Sequence, residues 1–243
     1  MNLRTLIARF KRKTTKSILK IIDSIFDTDW YWNYSFKMSA FHTSEYTFKK
    51  DQIAFVHVPK TGGTSVAKML QQSGISRFVN LNIHKPISEF CSPAEYKYFT
   101  IIRNPIDRVW SQYQMVLREG NGYPYNKYAV RGLKCFLENC WAVRNMACSY
   151  YSGQVHQEST LETYEKAVEN LQQFYKVLSF ENFNFEIKDF FKEENIQYQD
   201  ILHERKSTYD GPNQQEKDQI IAYNKFDIML FEKWENQNRK KDE

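Results

Sequence analysis

The chain has 243 residues, of which 42% are hydrophobic, 16% aromatic and 26% charged. That balance can bury a sizeable core and excludes wholesale disorder, while only 8 Gly and 6 Pro exclude collagen-like and low-complexity architectures. The net charge is +5, yet residues 1–20 carry seven cations and no acid, so the remainder is −2 and is not a globally basic nucleic-acid binder.

In chain order, residues 1–27 come first. Leu3, Leu6, Ile7 and Phe10, then Ile18, Ile21, Ile22 and Ile25, fall at i, i+3, i+4, i+7. Each set predicts an amphipathic helix with a basic polar face. Such a helix suits a peripheral membrane or partner surface, or packs on the domain with its cations solvated. Residues 28–50 are aromatic-rich and aperiodic, and read as a connector. The expected division is therefore 1–50 for the basic helix and connector, and 51–243 for a single domain.

IAFVHV (53–58) is a short apolar run closed by Pro59, and predicts a buried strand. PKTGGTS (59–65) is turn chemistry. VAKMLQQSG (66–74) predicts a helix, with Gly74 as its stop. RFVNLN (77–82) and KYFTIIRN (97–104) predict further strands. Asn104-Pro105 is a good N-cap and first-position pair for a helix over 107–120. The segment 121–160 carries no clear period. Beyond it follow a helix (161–174), a strand (175–180), a helix (183–195), a polar loop (203–212), and one or two helices (215–237). Strand–helix alternation predicts a three-layer α/β domain around a parallel sheet of four or five strands. No run reaches 18 apolar residues, and no secretory cleavage pattern is visible, which sets a cytoplasmic expectation. The four cysteines form no CxxC pair and read as core thiols, with a Cys135–Cys140 or Cys140–Cys148 bridge open in an oxidising compartment.

The loop after the first strand is the sharpest chemical feature. Gly62 and Gly63 let a ligand approach the backbone, and the amides of Gly62, Gly63, Thr64 and Ser65 would meet an anion at a helix N-terminus. Thr61, Thr64 and Ser65 add hydroxyls, and Lys60 adds a full charge. In a Walker A loop the lysine follows the glycines, whereas Lys60 precedes them. Arg103, at a strand's carboxyl end, and Ser111, on the next helix, suit a second phosphate. Arg108 reads as a structural ion-pair partner. His84, just past the second strand, is the histidine best placed for general-base work, with His57 and Glu89 as fallbacks.

VHVPKTGGTS (56–65) resembles the 5′-phosphosulfate loop of sulfotransferases, and IIRNPIDRVWSQY (101–113) resembles their 3′-phosphate motif, Arg-[Asp/Asn]-Pro-x-x-Arg-x-x-Ser. The likeness is to the carbohydrate 2-O- and 6-O-sulfotransferase group and covers roughly 53–235. It implies a P-loop-like fold and 3′-phosphoadenosine-5′-phosphosulfate (PAPS) as sulfuryl donor. Lys60 and Thr61 to Ser65 would hold the 5′-phosphosulfate. Arg103 and Ser111 would hold the 3′-phosphate, and His84 would activate a hydroxyl acceptor, most naturally on a glycan. The resemblance implies no metal. Near 144–153 the family shows Asn-x-Gln-x-Arg before Gly; here Asn145 and Gly153 match, but Ala147 and Ser149 replace Gln and Arg. HERKS (203–207) is either a solvated charge run or the counterpart of a late basic loop in related enzymes, which would bring Arg205 or Lys206 to the nucleotide. Two other classes compete with this reading. A nucleotide kinase or NTPase would need a Walker loop and an acidic Mg²⁺ ligand. A catalytically decayed PAP- or glycan-binding module would fit the altered positions 147 and 149, but retention of Lys60, His84, Arg103 and Ser111 together argues against it.

Overall fold

The computed structural model describes residues 48–79, 84–87, 91–120, 123, 125–155, 158–197 and 210–239. The helix expected over 1–27, nearly all of the connector, Glu89, Arg205 and Lys206 lie outside them.

Four parallel strands form one sheet: β1 (Ile53–Val56), β2 (Phe78–Val79), β3 (Lys97–Ile102) and β4 (Lys176–Ser179). Their spatial order is β2-β1-β3-β4. Val56 stands opposite Thr100, and Ile102 opposite Ser179, so the carboxyl ends of β1, β3 and β4 lie along one edge. The chain leaves β1 toward β2 on one side and returns to β3 on the other. That reversal makes the β1/β3 boundary a topological switch point, where ligands of open α/β sheets bind.

The strands are apolar on both faces because helices cover both. On one face Ile53, Phe55, Phe99, Ile101 and Leu178 pack against α1 (Gly63–Gln72) and the later helix Phe183–Glu193 through Val66, Leu70, Ile187 and Phe190. On the other, Ala54, Val56, Tyr98 and Ile102 meet helices Met146–Ser152, Leu161–Gln172 and Lys225–Arg239. A third cluster lies among helices only. Val109 and Val116 of α2 (Pro105–Glu119) pack with Ala129 of α3 (Asn126–Ala129), Phe136 of α4 (Leu133–Asn139) and Ile220 of the helix Gln214–Tyr223. A 3₁₀ turn (Trp141–Val143) leads from α4 to the helix at Met146. In chain order the remaining helices are α5 (Met146–Ser152), α6 (Leu161–Gln172), α7 (Phe183–Glu193), α8 (Gln214–Tyr223) and α9 (Lys225–Arg239).

Two helix starts are informative: the first differs from expectation, and the second falls where the Asn104-Pro105 pair places it. Helix α1 begins at Gly63, not Val66, because Gly62 takes the left-handed conformation (φ 80°) and Ser65 N–H already bonds the Gly62 carbonyl at 3.1 Å. Thr64 and Ser65 therefore form a helical first turn. Helix α2 begins at Pro105, where the Asn104 side chain accepts from Ile106 N–H at 2.9 Å. All four cysteines are free thiols in this structure; Cys91, Cys140 and Cys148 are buried and Cys135 is half-buried. Among the described residues no helix is long and apolar enough to cross a membrane.

Candidate functional site

The strand order sets the site. Going across the sheet edge, His84 follows β2, the Lys60 loop follows β1, Arg103 follows β3 and Phe180 follows β4. Residues distant in sequence thus stand side by side.

The loop from Pro59 to Gly62 turns tightly. Lys60 has φ 71°, a left-handed value that costs a non-glycine residue about 1 kcal/mol and persists only where surroundings enforce it. Two bonds do so. Thr61 Oγ1 donates to the Val58 carbonyl at 2.9 Å, and Arg103 Nη1 donates to the Lys60 carbonyl at 2.8 Å. The Thr61 hydroxyl proton is thus spent within the loop. At the head of α1 the amides of Gly63 and Thr64 have no intrahelical acceptor, and the helix dipole adds positive potential there. A Cβ on Gly63 would lie 2.3 Å from the His57 ring and 2.8 Å from Phe55, so only glycine fits. The Lys60 ammonium lies 3.7 Å from Met115 Sδ on α2. A thioether is a weak acceptor, and an anionic oxygen would outbid it.

Arg103 is half-buried, with its guanidinium 4.3 Å over the Phe180 ring. Ser111 is buried on α2. Arg108 turns the other way, into the core. It is 1% exposed, donates to the Val143 carbonyl at 2.8 Å and stands 3.7 Å from Asp227, which is equally buried. Its role is structural, as the sequence suggested, but the acid is Asp227 of α9 and not a neighbour on α2.

The two histidines pair. His57 is buried, stacked on Phe55 at 4.9 Å, and its ring centroid is 4.2 Å from that of His84. Burial, then the His84 charge, pushes the His57 pKa down to about 3, so it is neutral at every ordinary pH. His84 Nδ1 lies 3.2 Å from the His57 carbonyl oxygen. A carbonyl only accepts, so Nδ1 carries the proton and Nε2 keeps its lone pair. His84 is open to solvent on one side, yet the protein around it lowers its pKa below 6.5 by desolvation. The bond to the His57 carbonyl partly opposes that, and the Lys60 charge adds to it. Lys60 and His84 are therefore electrostatic neighbours.

Several further residues serve in packing. Tyr123, Tyr125 and Tyr128 lean on the helical cluster, so loop packing accounts for them. Asn145 has φ 46° and its side chain accepts from the Phe226 and Asp227 amides, tying α5 to α9. Ser149 is buried and its hydroxyl meets that of Ser159 at 3.0 Å. Phe180 and Met115 were missed by sequence reading. A lone aromatic at a strand end and a methionine on a helix give no local signal distinguishing them from core. Among the described residues no group of His, Cys, Asp and Glu could hold a metal ion.

A parallel α/β sheet with a glycine-bearing anion loop at its switch point, and an arginine at the adjacent strand end, defines a class of phosphate- and sulfate-handling domains. Residues 45–148 match the family model described as "Sulfotransferase family". This segment contains both motifs, β1 to β3, α1 and α2, so the similarity covers the part of the chain that carries the candidate site. The likeness to the carbohydrate 2-O/6-O group is consistent with that match. That similarity supports sulfuryl transfer in general and a transferase activity. No curated protein matches the chain significantly.

Proposed function

We propose that the protein transfers the sulfuryl group of PAPS to a hydroxyl acceptor, most naturally on a carbohydrate, and releases 3′-phosphoadenosine-5′-phosphate (PAP). The observation that carries this reading is the adjacency of two anion-ready elements, the Lys60 loop and Arg103, with a histidine, His84, that feels the Lys60 charge.

In the proposed reaction the acceptor oxygen attacks sulfur and the bond from sulfur to the bridging phosphate oxygen breaks. The acceptor proton passes to His84 Nε2. Negative charge grows on the leaving phosphate of PAP, where Lys60 and the amides of Gly63 and Thr64 stabilise it. Ser65 contributes its hydroxyl to the same region, since its amide is used in the turn. Arg103 and Ser111 hold the 3′-phosphate. Sulfuryl transfer resembles phosphoryl transfer in its loose transition state, so positioning and charge stabilisation dominate. The sulfuryl group carries less charge than a phosphoryl group, and the cationic loop supplies the neutralisation. Residues 1–27 would contact an anionic inner membrane surface through their basic face.

An acceptor screen with PAPS and a panel of glycans, read by mass spectrometry for sulfated product, tests the reading. Product formation that falls in both Lys60→Ala and His84→Ala supports it. Turnover of ATP with no sulfated product would favour the nucleotide kinase reading. PAP binding with no transfer to any acceptor would favour a decayed binding module.

A further inference from the structure

We infer that Phe180 is a positioning residue that couples the two anion sites, so that recognition of the 3′-phosphate sets the conformation of the Lys60 loop. This rests on the donor reading above.

Residues 180 and 181 clamp the chain on both sides of Arg103. Phe180 N–H donates to the Ile102 carbonyl at 2.8 Å, and Glu181 Oε1 accepts from Asn104 N–H at 2.8 Å. The Phe180 ring then makes two contacts at once. Its face carries the Arg103 guanidinium at 4.3 Å, and its edge lies against Gly62, where a Cβ would come within 2.7 Å of Phe180 Cε2. Arg103 closes the circuit, since its Nη1 bonds the carbonyl of Lys60, whose left-handed backbone needs support. Phe180 thus touches the pivot of one anion loop and the cation of the other site. The ring lies on the core cluster through Phe183, at a centroid distance of 6.2 Å, which fixes its own position. A guanidinium held flat by a ring and a carbonyl has its plane preset before any ligand arrives, and preorganisation of that kind is worth affinity.

The test is calorimetry of PAP and of AMP on the full chain, with wild type, Phe180→Leu and Phe180→Tyr. Leucine keeps apolar volume and removes the π face; tyrosine keeps both. In Phe180→Leu, PAP affinity should fall about 3–10-fold, the range of a partly desolvated cation–π contact, while AMP affinity falls less. The PAP-over-AMP preference therefore narrows, and Phe180→Tyr restores it. In an Arg103→Gln background, Phe180→Leu should lower PAP affinity no more than it lowers AMP affinity, an outcome that a merely structural role would not produce. If Phe180→Leu does not fold, Phe180→Met takes its place. An unaltered preference in a folded variant overturns this inference alone. A wild type that binds neither nucleotide, or both equally, overturns it together with the donor reading.

Discussion

His84 and His57 show how one residue type takes two roles through environment. His57 is buried and neutral; His84 keeps a free Nε2 because a carbonyl claims its other nitrogen. Removing a general base typically costs about 10²–10⁴ in rate, so His84→Ala should lose that turnover while PAP affinity stays near wild type. Near-normal turnover would move the base elsewhere. The lowered His84 pKa has a direction that can be read. A base must be neutral, so activity falls as pH drops through that pKa, and the acid limb should lie below 6.5. Desolvation lowers that pKa first and the Lys60 charge adds to that, so in Lys60→Met the His84 titration followed by NMR in the ligand-free protein should shift upward. A downward shift would contradict the pairing. His57 makes a stability prediction of its own. Its folded pKa of about 3 lies below the unfolded 6.5. The unfolded chain therefore binds the extra proton, and the contribution is complete above 6.5 and is lost as pH falls toward 3. Between pH 6.5 and about 5 this lowers stability by roughly 1–2 kcal/mol. Urea midpoints across that window should fall less steeply for His57→Asn than for wild type; equal slopes would place the titration on other groups.

At the scale of elements, the proposed donor site draws on the α1 and α2 N-termini, and each is fixed by a different device. Helix α1 depends on glycine. Gly63→Ala would drive a methyl into His57 and Phe55, so nucleotide binding should drop sharply, with displaced His57 and His84 resonances as the check. Helix α2 depends on Asn104, and Asn104→Ala should cost about 1 kcal/mol in chemical denaturation. Arg108, one turn further, is an anchor. Arg108→Ala would leave Asp227 buried without its charge partner and should cost about 3–5 kcal/mol, against little change if the pair were dispensable. The elements legible in the sequence are those with local signatures. The Asn104-Pro105 start, the Gly74 stop after α1 and the apolar runs of β1 and β3 all declare themselves within a few residues. The start of α1 was misplaced because two adjacent glycines leave open which one bends, and only the Phe180 and His57 walls decide it. The helices between 126 and 152 were illegible for a related reason. They are 4–7 residues long and are held by packing on α2, α8 and α9, through contacts such as Asp227 with the Ala147 and Cys148 amides.

For the molecule as a whole, strand order is what turns separate motifs into a site. Both motifs were readable as anion-binding chemistry, and their likeness to the sulfotransferase pattern agrees with the family match over 45–148. The residues that link them were not, since Phe180 stands 77 positions beyond Arg103 and meets it only because β4 pairs with β3. The basic residues 1–27 lie apart from both motifs in sequence. Their deletion should leave PAP affinity unchanged and should abolish salt-sensitive binding to anionic vesicles. Vesicle binding that persists, or a fold lost on deletion, would assign that segment to packing instead. The central claim is that the Lys60 loop and Arg103 form one donor site. Calorimetric titration of the wild-type chain with PAP and with AMP tests it most directly. The account predicts tighter binding of PAP by the worth of a charge-assisted pair, on the order of 1.5–3 kcal/mol, with the difference lost in Arg103→Ala. Equal affinities in wild type, or a preference that survives Arg103→Ala, would contradict it.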